Sequence, residues 1–229
     1  MRFSAIAFDL DGTLYPNYRF YLRLIPFVLK EQRYLRAFGK ARDRLRQEGN
    51  SQGNTCFYQR QAIYMAEILK KERAHIIEWT EKNIYRGWEP MFKKVKLFPY
   101  VKETLTALRE KGIKLGLLSD FPPETKIQYL GLSGYWDALL CSEVAGQLKP
   151  NPLPFQELCR SLGFPPEEIL YVGNSFSYDI LGAQKAGMKA AWIVPKMKYF
   201  YEYAKNKNKI TKADFVFYDY RQLSAFVIT

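Results

Sequence analysis

The chain has 229 residues, enough to bury a hydrophobic core, and its hydrophobic fraction of 48% excludes an intrinsically disordered protein. Its formal net charge is +12, which favours anionic substrates or partners. The three cysteines are too few and too widely spaced for a disulfide framework or a cysteine zinc motif.

The cysteine pattern and the apolar segments predict a cytoplasmic protein. Cys56, Cys141 and Cys159 are odd in number, which is typical of free thiols in a reducing cytosol. The N-terminal segment, one arginine before a short apolar stretch, does not resemble a signal peptide. The longest apolar candidate, FYLRLIPFVLK, is too short for a membrane span and carries Arg23 and Pro26. We therefore expect no membrane partner.

Short apolar segments alternate with helical segments outside residues 17–97. The segments that predict strands are, in chain order, FSAIAFDL, IKLGLLSD, ILYVGN, AAWIV and DFVFY. Each is apolar on both faces, as is typical of parallel strands covered by helices on both sides. Helical spacing is found in residues 100–111, 152–163 and 176–187. The alternation predicts an α/β fold with a Rossmann-like parallel sheet, formed by residues 1–16 and 98–229.

Residues 17–97 lack this alternation and predict an inserted helical domain. The pattern indicates long helices with breaks near Pro26, at EGNSQGN (48–54) and at RGWEP (86–90). The segment holds 18 lysines and arginines against 8 acidic residues, a net charge of +10. Most of the excess positive charge is therefore expected on this insertion.

Polar residues follow the predicted strands at their carboxyl ends. Asp9 and Asp11 come at the end of the first strand, and strand alternation places both on one side. Ser119 ends the second predicted strand, and Asn174 and Asp179 follow the third. Ligands of parallel α/β sheets bind beyond these strand ends, so the five residues are expected to lie close together.

The chemistry of these residues predicts a site for a cation and an anion. Asp9 and Asp11 repel each other by roughly 1 kcal/mol in water and by several times more near a protein interior. A divalent cation with hard oxygen ligands, Mg²⁺, would offset that repulsion. Lys149, in the loop GQLKPNPLPF, and the backbone N–H groups of the turns suit an anion such as phosphate.

Four motifs, in order, resemble those of the haloacid dehalogenase-like hydrolases. FDLDGTLY looks like motif I, LGLLSD with Ser119 like motif II, LKPNPLPF with Lys149 like motif III, and YVGNSFSYDILGAQKAG like motif IV. The resemblance covers residues 1–15 and about 97–218. The basic insertion stands where this family places its C1 cap, although no specific cap motif is matched in it. We refer to residues 17–97 as the cap.

The resemblance implies a Mg²⁺-dependent phosphatase. Asp9 would be the nucleophile and would become an aspartyl phosphate, while Asp11 would be the general acid and base. Ser119 and Lys149 would bind the phosphoryl oxygens. Mg²⁺ would be held by the side chains of Asp9 and Asp179 and by the backbone carbonyl of Asp11. The implied substrate is a small phosphorylated metabolite, possibilities being a nucleotide or a sugar phosphate.

Asn174 departs from the commonest family pattern, which has an aspartate at this position of motif IV. Its amide oxygen can still bind a metal or a bound water, but it brings no charge. Direct ligation by Asn174 therefore stays open, and Asp179 is the stronger candidate. Two alternatives remain within the family, a phosphomutase and a metal-independent dehalogenase. Asp11 and Asp179 favour phosphate, because a dehalogenase needs neither a metal nor the second aspartate.

A rival interpretation from another class is a nucleic-acid-binding protein that uses the basic cap. Nine basic residues lie close together in the sequence of this cap: Arg19, Arg23, Lys30, Arg33, Arg36, Lys40, Arg42, Arg44 and Arg46. No known nucleic-acid-binding motif accompanies them, so nucleic acid is the less favoured partner. The sequence leaves both a monomer and a homodimer open.

Overall fold

The computed structural model describes residues 3–48, 56–197, 199–200 and 212–228, with Arg19 described for its backbone alone. The strands are β1 (Ala5–Phe8), β2 (Lys114–Ser119), β3 (Ala138–Cys141), β4 (Ile169–Gly173), β5 (Lys189–Ile193) and β6 (Phe215–Phe217). Over these residues the strands form one parallel sheet in the order β3-β2-β1-β4-β5-β6. The predicted α/β class with a parallel sheet is confirmed.

The helices divide between the insertion and the sheet. Those of the insertion are α1 (Asn17–Lys30), α2 (Gln32–Glu48), α3 (Phe57–Leu69), α4 (Arg73–Thr80) and α5 (Arg86–Phe92). Those beside the sheet are α6 (Val101–Glu110), α7 (Glu124–Tyr129), α8 (Pro152–Leu162), α9 (Leu181–Lys185) and α10 (Tyr220–Ile228). Two π-helical turns, Glu81–Tyr85 and Phe176–Ile180, precede α5 and α9. None of the helices in the described ranges is both long and apolar enough to cross a bilayer.

The two faces of the sheet are buried under separate layers. In β1, Ile6 and Phe8 pack into an apolar cluster with α6 and α10, whereas Ala5 and Ala7 pack into a second cluster with α8 and α9. All four residues of the strand are fully buried. Because both faces are covered, the strand is apolar at every position and shows no polar alternation. All five segments predicted as strands are strands in the structure.

β3 is the strand that the sequence did not predict. It has four residues and occupies one edge of the sheet, next to β2. Its two central leucines, Leu139 and Leu140, are only partly buried. At the edge of the sheet its middle is covered less than that of β1, a strand of the same length whose four residues are all buried.

Two of the predicted helix breaks in the cap are wrong. Pro26 lies inside α1, where its missing N–H leaves the carbonyl of Leu22 without a helical partner. Leu22 is exposed, so water can satisfy that carbonyl. Residues 86–90 form most of α5, since Gly87 permits the preceding π-helical turn: a Cβ there would lie 2.9 Å from the Lys82 carbonyl oxygen. The third predicted break, 48–54, lies outside the described residues except for Glu48.

The cap contributes to two apolar clusters. One is largely its own and includes Phe38, Leu45 and Met65. The other belongs to the sheet and takes in Phe20 and Phe92 from the first and last cap helices. The insertion therefore packs on the sheet through α1 and α5, and the domain limits at 17 and 97 stay a prediction.

A buried ion pair also joins the cap to the sheet. Arg42 of α2 bonds Glu143, in the loop after β3, and donates to the Asp120 carbonyl oxygen at 3.1 Å. The guanidinium lies 4.1 Å from the ring centroid of Phe121. Burial raises the pKa of Glu143, and the neighbouring Arg42 opposes that rise. The Glu143 carboxylate thus depends on Arg42 for its charge compensation.

Arg42→Met is expected to lower the free energy of unfolding by about 3–5 kcal/mol, because it leaves a buried carboxylate without its cation. Urea unfolding measures this loss. The matched control is Arg44→Met on the same helix, where the side chain is 47% exposed and little change in stability is expected. Replacing both partners, Arg42→Met with Glu143→Met, should recover part of the stability. Equal effects of the Arg42 and Arg44 variants would contradict the prediction.

Candidate active site

The loop after β1 holds Asp9 at the end of the sheet. The backbone N–H of Asp9 donates to the Val172 carbonyl oxygen of β4 at 2.9 Å. Gly12 turns the chain with a φ of +88°, and a Cβ at this position would lie 2.2 Å from Asn174 Nδ2. The Thr13 hydroxyl donates to Asp9 Oδ2 at 2.7 Å. The glycine and the threonine of the DxDGT pattern therefore fix the position of the first aspartate.

Lys149 joins two of the other predicted site residues. Its ammonium lies 2.7 Å from Asp9 Oδ1 and 2.7 Å from Asp179 Oδ1. It also donates to the Tyr171 hydroxyl at 3.1 Å and to the Leu118 carbonyl oxygen at 3.3 Å. The side chains of all three charged residues are less than a tenth exposed. We call Asp9, Lys149 and Asp179 the buried triad; they come from the segments that follow β1, β3 and β4, at the carboxyl ends of the strands.

One ammonium does not compensate both carboxylates of the buried triad. Burial raises the pKa of Asp9 to about 7; Lys149 opposes this rise, and the charges of Asp179 and Asp11 add to it. Burial by itself lowers the pKa of Lys149, but the two neighbouring carboxylates outweigh it and raise that pKa well above its usual value. Lys149 is therefore a cation, and when both carboxylates are ionised the buried triad carries one negative charge in excess.

Asp11 pairs with a lysine that the sequence did not single out. Lys126 of α7 bonds both carboxylate oxygens of Asp11, at 2.8 and 2.7 Å, and the Tyr15 hydroxyl donates to Oδ1. The Asp11 side chain is 29% exposed, against 9% for Asp9. Lys126 lies 115 residues from Asp11 in the chain, so no local pattern links them. Only the fold identifies this pair.

Ser119 ends β2, one strand from Asp9, and is fully buried. Its Oγ accepts the backbone N–H of Phe121 at 3.1 Å, which leaves the hydroxyl proton free to donate. Within the described ranges, no hydrogen bond joins Ser119 to the buried triad. Its predicted part in phosphate binding stays a prediction.

The two motif IV residues occupy different positions. Asp179 lies in the π-helical turn before α9, where its Oδ1 binds Lys149 and its Oδ2 accepts the Ser175 backbone N–H at 2.9 Å. The side-chain amide of Asn174 lies instead against Gly12. Asp179 thus belongs to the buried triad, and Asn174 lies beside the loop that follows β1.

Asp120 is a further carboxylate near the site, and it contacts the cap. Its Oδ2 bonds Arg46 Nη2 at 2.9 Å, and its Oδ1 accepts the Lys149 backbone N–H at 3.2 Å. Arg46 in turn donates to the Lys149 carbonyl oxygen at 3.1 Å. Burial acts to raise the pKa of Asp120, but Lys149, Arg42 and Arg46 outweigh it and hold that pKa below its usual value. The cap thereby fixes the backbone that carries the lysine of the buried triad.

The donor set of the site fits Mg²⁺. Within the described residues, no group of three or more histidine, cysteine or acidic side chains forms a ready-made metal site. The buried triad does supply two carboxylates, and both of them bond the Lys149 ammonium. Mg²⁺ is usually held by one or two carboxylates together with waters and phosphate oxygens. The uncompensated charge of Asp9 also favours a cation, and nothing in this set would select a soft metal.

A cavity of about 150 Å³ lies between the cap and the sheet, next to Asp11 and Lys126. Seven aromatic residues dominate its wall, and we call it the aromatic cavity: Tyr15, Phe20, Tyr21, Tyr85, Trp88, Phe92 and Phe121. Four of the seven come from α1 and α5.

A family model described as "haloacid dehalogenase-like hydrolase" matches residues 3–187. The chain is 30% identical over 236 residues to the phosphoglycolate phosphatase of Haemophilus influenzae (strain 86-028NP), with 97% of each chain covered. It is 38% identical over 102 residues to the glyceraldehyde 3-phosphate phosphatase of Methanothermobacter thermautotrophicus, covering 43% of this chain and 45% of that protein. The similarity to the first relative spans the sheet and the cap.

Similarity to solved structures extends over the whole chain. The crystal structure of the 2-haloacid dehalogenase from Pseudomonas syringae pv. Tomato DC3000 matches with a TM-score of 0.67 and 24% identity, covering 99% of this chain and 98% of that one. At this identity the similarity concerns the fold, and the chemistry has to be inferred from the site.

Proposed function

The chain belongs to the haloacid dehalogenase-like hydrolase family, and from this premise we propose that it is a Mg²⁺-dependent phosphatase that hydrolyses a small phosphomonoester. The observation that carries the proposal is the buried triad with Asp11 beside it. A nucleophilic carboxylate, a phosphate-binding lysine and a second aspartate are the groups that phosphoryl transfer through an aspartyl phosphate needs. The named phosphatase that matches along 97% of the chain supports the same activity.

The proposed reaction has two steps. In the first, Asp9 attacks phosphorus, the bond to the leaving oxygen breaks, and Asp11 donates a proton to the departing alcohol. In the second, Asp11 takes a proton from water, which attacks the aspartyl phosphate and releases inorganic phosphate. Lys149 and the Ser119 hydroxyl hold the phosphoryl oxygens. Lys126 and Tyr15 position the Asp11 carboxylate, each through a hydrogen bond.

Mg²⁺ completes the proposal as the cofactor. It would be held by the side chains of Asp9 and Asp179 and by the backbone carbonyl of Asp11. Asn174 is an open candidate for a further ligand. When bound, it supplies positive charge that polarises the phosphoryl group and offsets the excess negative charge of the site. Lys149 alone shares its charge between two carboxylates, which is the physical reason to expect a second cation.

The alternatives are less well supported. A dehalogenase of this fold has no use for Asp11 or for a metal, yet Asp11 is held by two side chains beside the aromatic cavity. A nucleic-acid-binding cap needs free basic side chains. Three of the nine basic residues named above, Arg42, Arg44 and Arg46, are instead engaged with acidic side chains. A phosphomutase shares the site and remains the second candidate.

Phosphate release from a panel of phosphomonoesters, with Mg²⁺ and with excess chelator, tests the proposal. We expect hydrolysis that requires Mg²⁺ and transfers phosphate to water. Halide release from 2-haloacids without phosphate release would indicate a dehalogenase, and transfer within a sugar phosphate would indicate a mutase. Salt-titrated binding of RNA and DNA tests the basic cap separately. Tight binding without phosphatase activity would favour a nucleic-acid-binding protein over a phosphatase.

A further inference from the structure

The aromatic cavity indicates which alcohol leaves from the phosphate. We propose that this cavity binds an uncharged leaving group of about the size of one ring, so that the preferred substrate is the phosphate ester of an aromatic or similarly apolar alcohol. The inference rests on the proposed phosphatase function. It differs from the substrate in the name of the H. influenzae relative, because the alcohol released from phosphoglycolate carries a carboxylate.

The position of the cavity points to the leaving group. Asp11, the proposed proton donor to the departing oxygen, lines it, and Asp9 does not. A phosphate seated on the buried triad would therefore direct its ester oxygen past Asp11 into this space. The cap encloses the opposite side through Phe20, Trp88 and Phe92.

The wall consists of aromatic rings that are packed against each other. Phe20 stacks on Phe92 with centroids 4.7 Å apart, and Trp88 meets Phe20 edge-on at 5.7 Å. Tyr15 contacts Phe92 at 6.0 Å, also edge-on. Phe20, Phe92 and Tyr15 are nearly inaccessible to water. Such a wall is already ordered before a ligand binds, and it suits a flat apolar group better than a hydrated one.

The charges of the wall disfavour an anionic leaving group. Asp11 and Glu89 are the acidic residues of the wall. Lys126 is its basic residue among the described side chains, and both oxygens of Asp11 already occupy that ammonium. A carboxylate on the leaving group would thus enter a largely apolar space whose ammonium is already paired with Asp11, and it would lie close to Glu89.

The volume sets the size of the group. Apolar cavities of about 150 Å³ stay dry and take up benzene-sized molecules. The aromatic cavity has a volume of about 150 Å³, so one ring fits in it.

Matched esters test this inference. The two key substrates are benzyl phosphate and 4-carboxybenzyl phosphate, which share the ring and the reacting bond and differ in one charge. Phosphoglycolate and methyl phosphate complete the series. We expect kcat/KM for benzyl phosphate to exceed that for each of the two carboxylated esters by about tenfold or more. The inference would be overturned if kcat/KM for phosphoglycolate equalled or exceeded that for benzyl phosphate.

Two variants link the preference to the cavity. Glu89→Gln is expected to raise kcat/KM for 4-carboxybenzyl phosphate relative to benzyl phosphate by about threefold or more. The control Glu81→Gln alters an exposed glutamate outside the cavity wall and should leave that ratio unchanged. Trp88→Ala should lower kcat/KM for benzyl phosphate about tenfold more than for methyl phosphate. Equal losses on both esters in Trp88→Ala, or an unchanged ratio in Glu89→Gln, would contradict the assignment of the leaving group to the aromatic cavity.

The series also separates this inference from the proposed function. If neither these four esters nor any ester of the phosphomonoester panel releases phosphate in the presence of Mg²⁺, the phosphatase proposal fails, and the inference fails with it. If other esters of the panel are hydrolysed but none of these four, only the inference fails. If phosphate is released and the carboxylated esters are preferred, only the assignment of the cavity fails. Calorimetric binding of benzyl phosphate and phosphoglycolate to Asp9→Asn gives the same comparison without turnover, with tighter binding of benzyl phosphate expected.

Discussion

Asp9→Asn is expected to lower the rate of phosphate release at least about a hundredfold, because an amide cannot act as the nucleophile. The loss should be in kcat, since Lys149 remains charged and can still bind the phosphate. The stability should change little, because the amide keeps the shape of the carboxylate and Lys149 keeps Asp179 as a partner. Phosphate release under saturating substrate, with circular dichroism to verify folding, measures both expectations.

The matched control is Asp43→Asn, which alters an aspartate of the cap whose side chain is 62% exposed. Its rate should equal that of the unmodified protein. A second readout is the covalent intermediate: brief reaction followed by acid quench should leave phosphate on the unmodified chain and none on Asp9→Asn. A folded Asp9→Asn protein that retains more than about a hundredth of the rate would exclude Asp9 as the nucleophile.

Asp179→Asn is expected to weaken both Mg²⁺ binding and activity severely, by about a hundredfold or more in rate. The change removes one of the two carboxylates that meet at Lys149, and with it the stronger motif IV ligand. Asn174→Ala should cost less, on the order of 10–100-fold, if the amide orients a ligand or a bound water. Asn174→Asp should be tolerated and should bind Mg²⁺ at least as tightly. Activity against Mg²⁺ concentration gives the ranking.

Calorimetric titration with Mg²⁺ provides a readout that does not depend on turnover. It should show the same order of affinities: Asn174→Asp at least equal to the unmodified protein, then Asn174→Ala, then Asp179→Asn. Full activity in excess chelator would refute the metal requirement and favour the dehalogenase chemistry. A larger loss in Asn174→Ala than in Asp179→Asn would mean that the two ligand roles are reversed.

Much of the fold could be predicted because its signals are local. The central strands β1 and β4 are short runs that are apolar at every position, because both faces of the sheet are covered by helices. The ends of the helices in the cap were harder to predict. The pattern around Pro26 and Gly87 signals a break, yet an exposed carbonyl and a π-helical turn allow the chain to remain helical at both positions.

The sequence by itself determined which residues stand at the ends of the strands. Asp9, Ser119 and Asp179 were singled out because each follows an apolar run, and a parallel sheet brings such ends to one edge. The long-range ion pairs around this site were decided by the tertiary structure alone. Lys126 bonds Asp11 across 115 residues, and Arg42 bonds Glu143 across 101. The physical reason is that these contacts depend on how α7 and the cap pack against the sheet, whereas propensity and periodicity report only on neighbours in the chain.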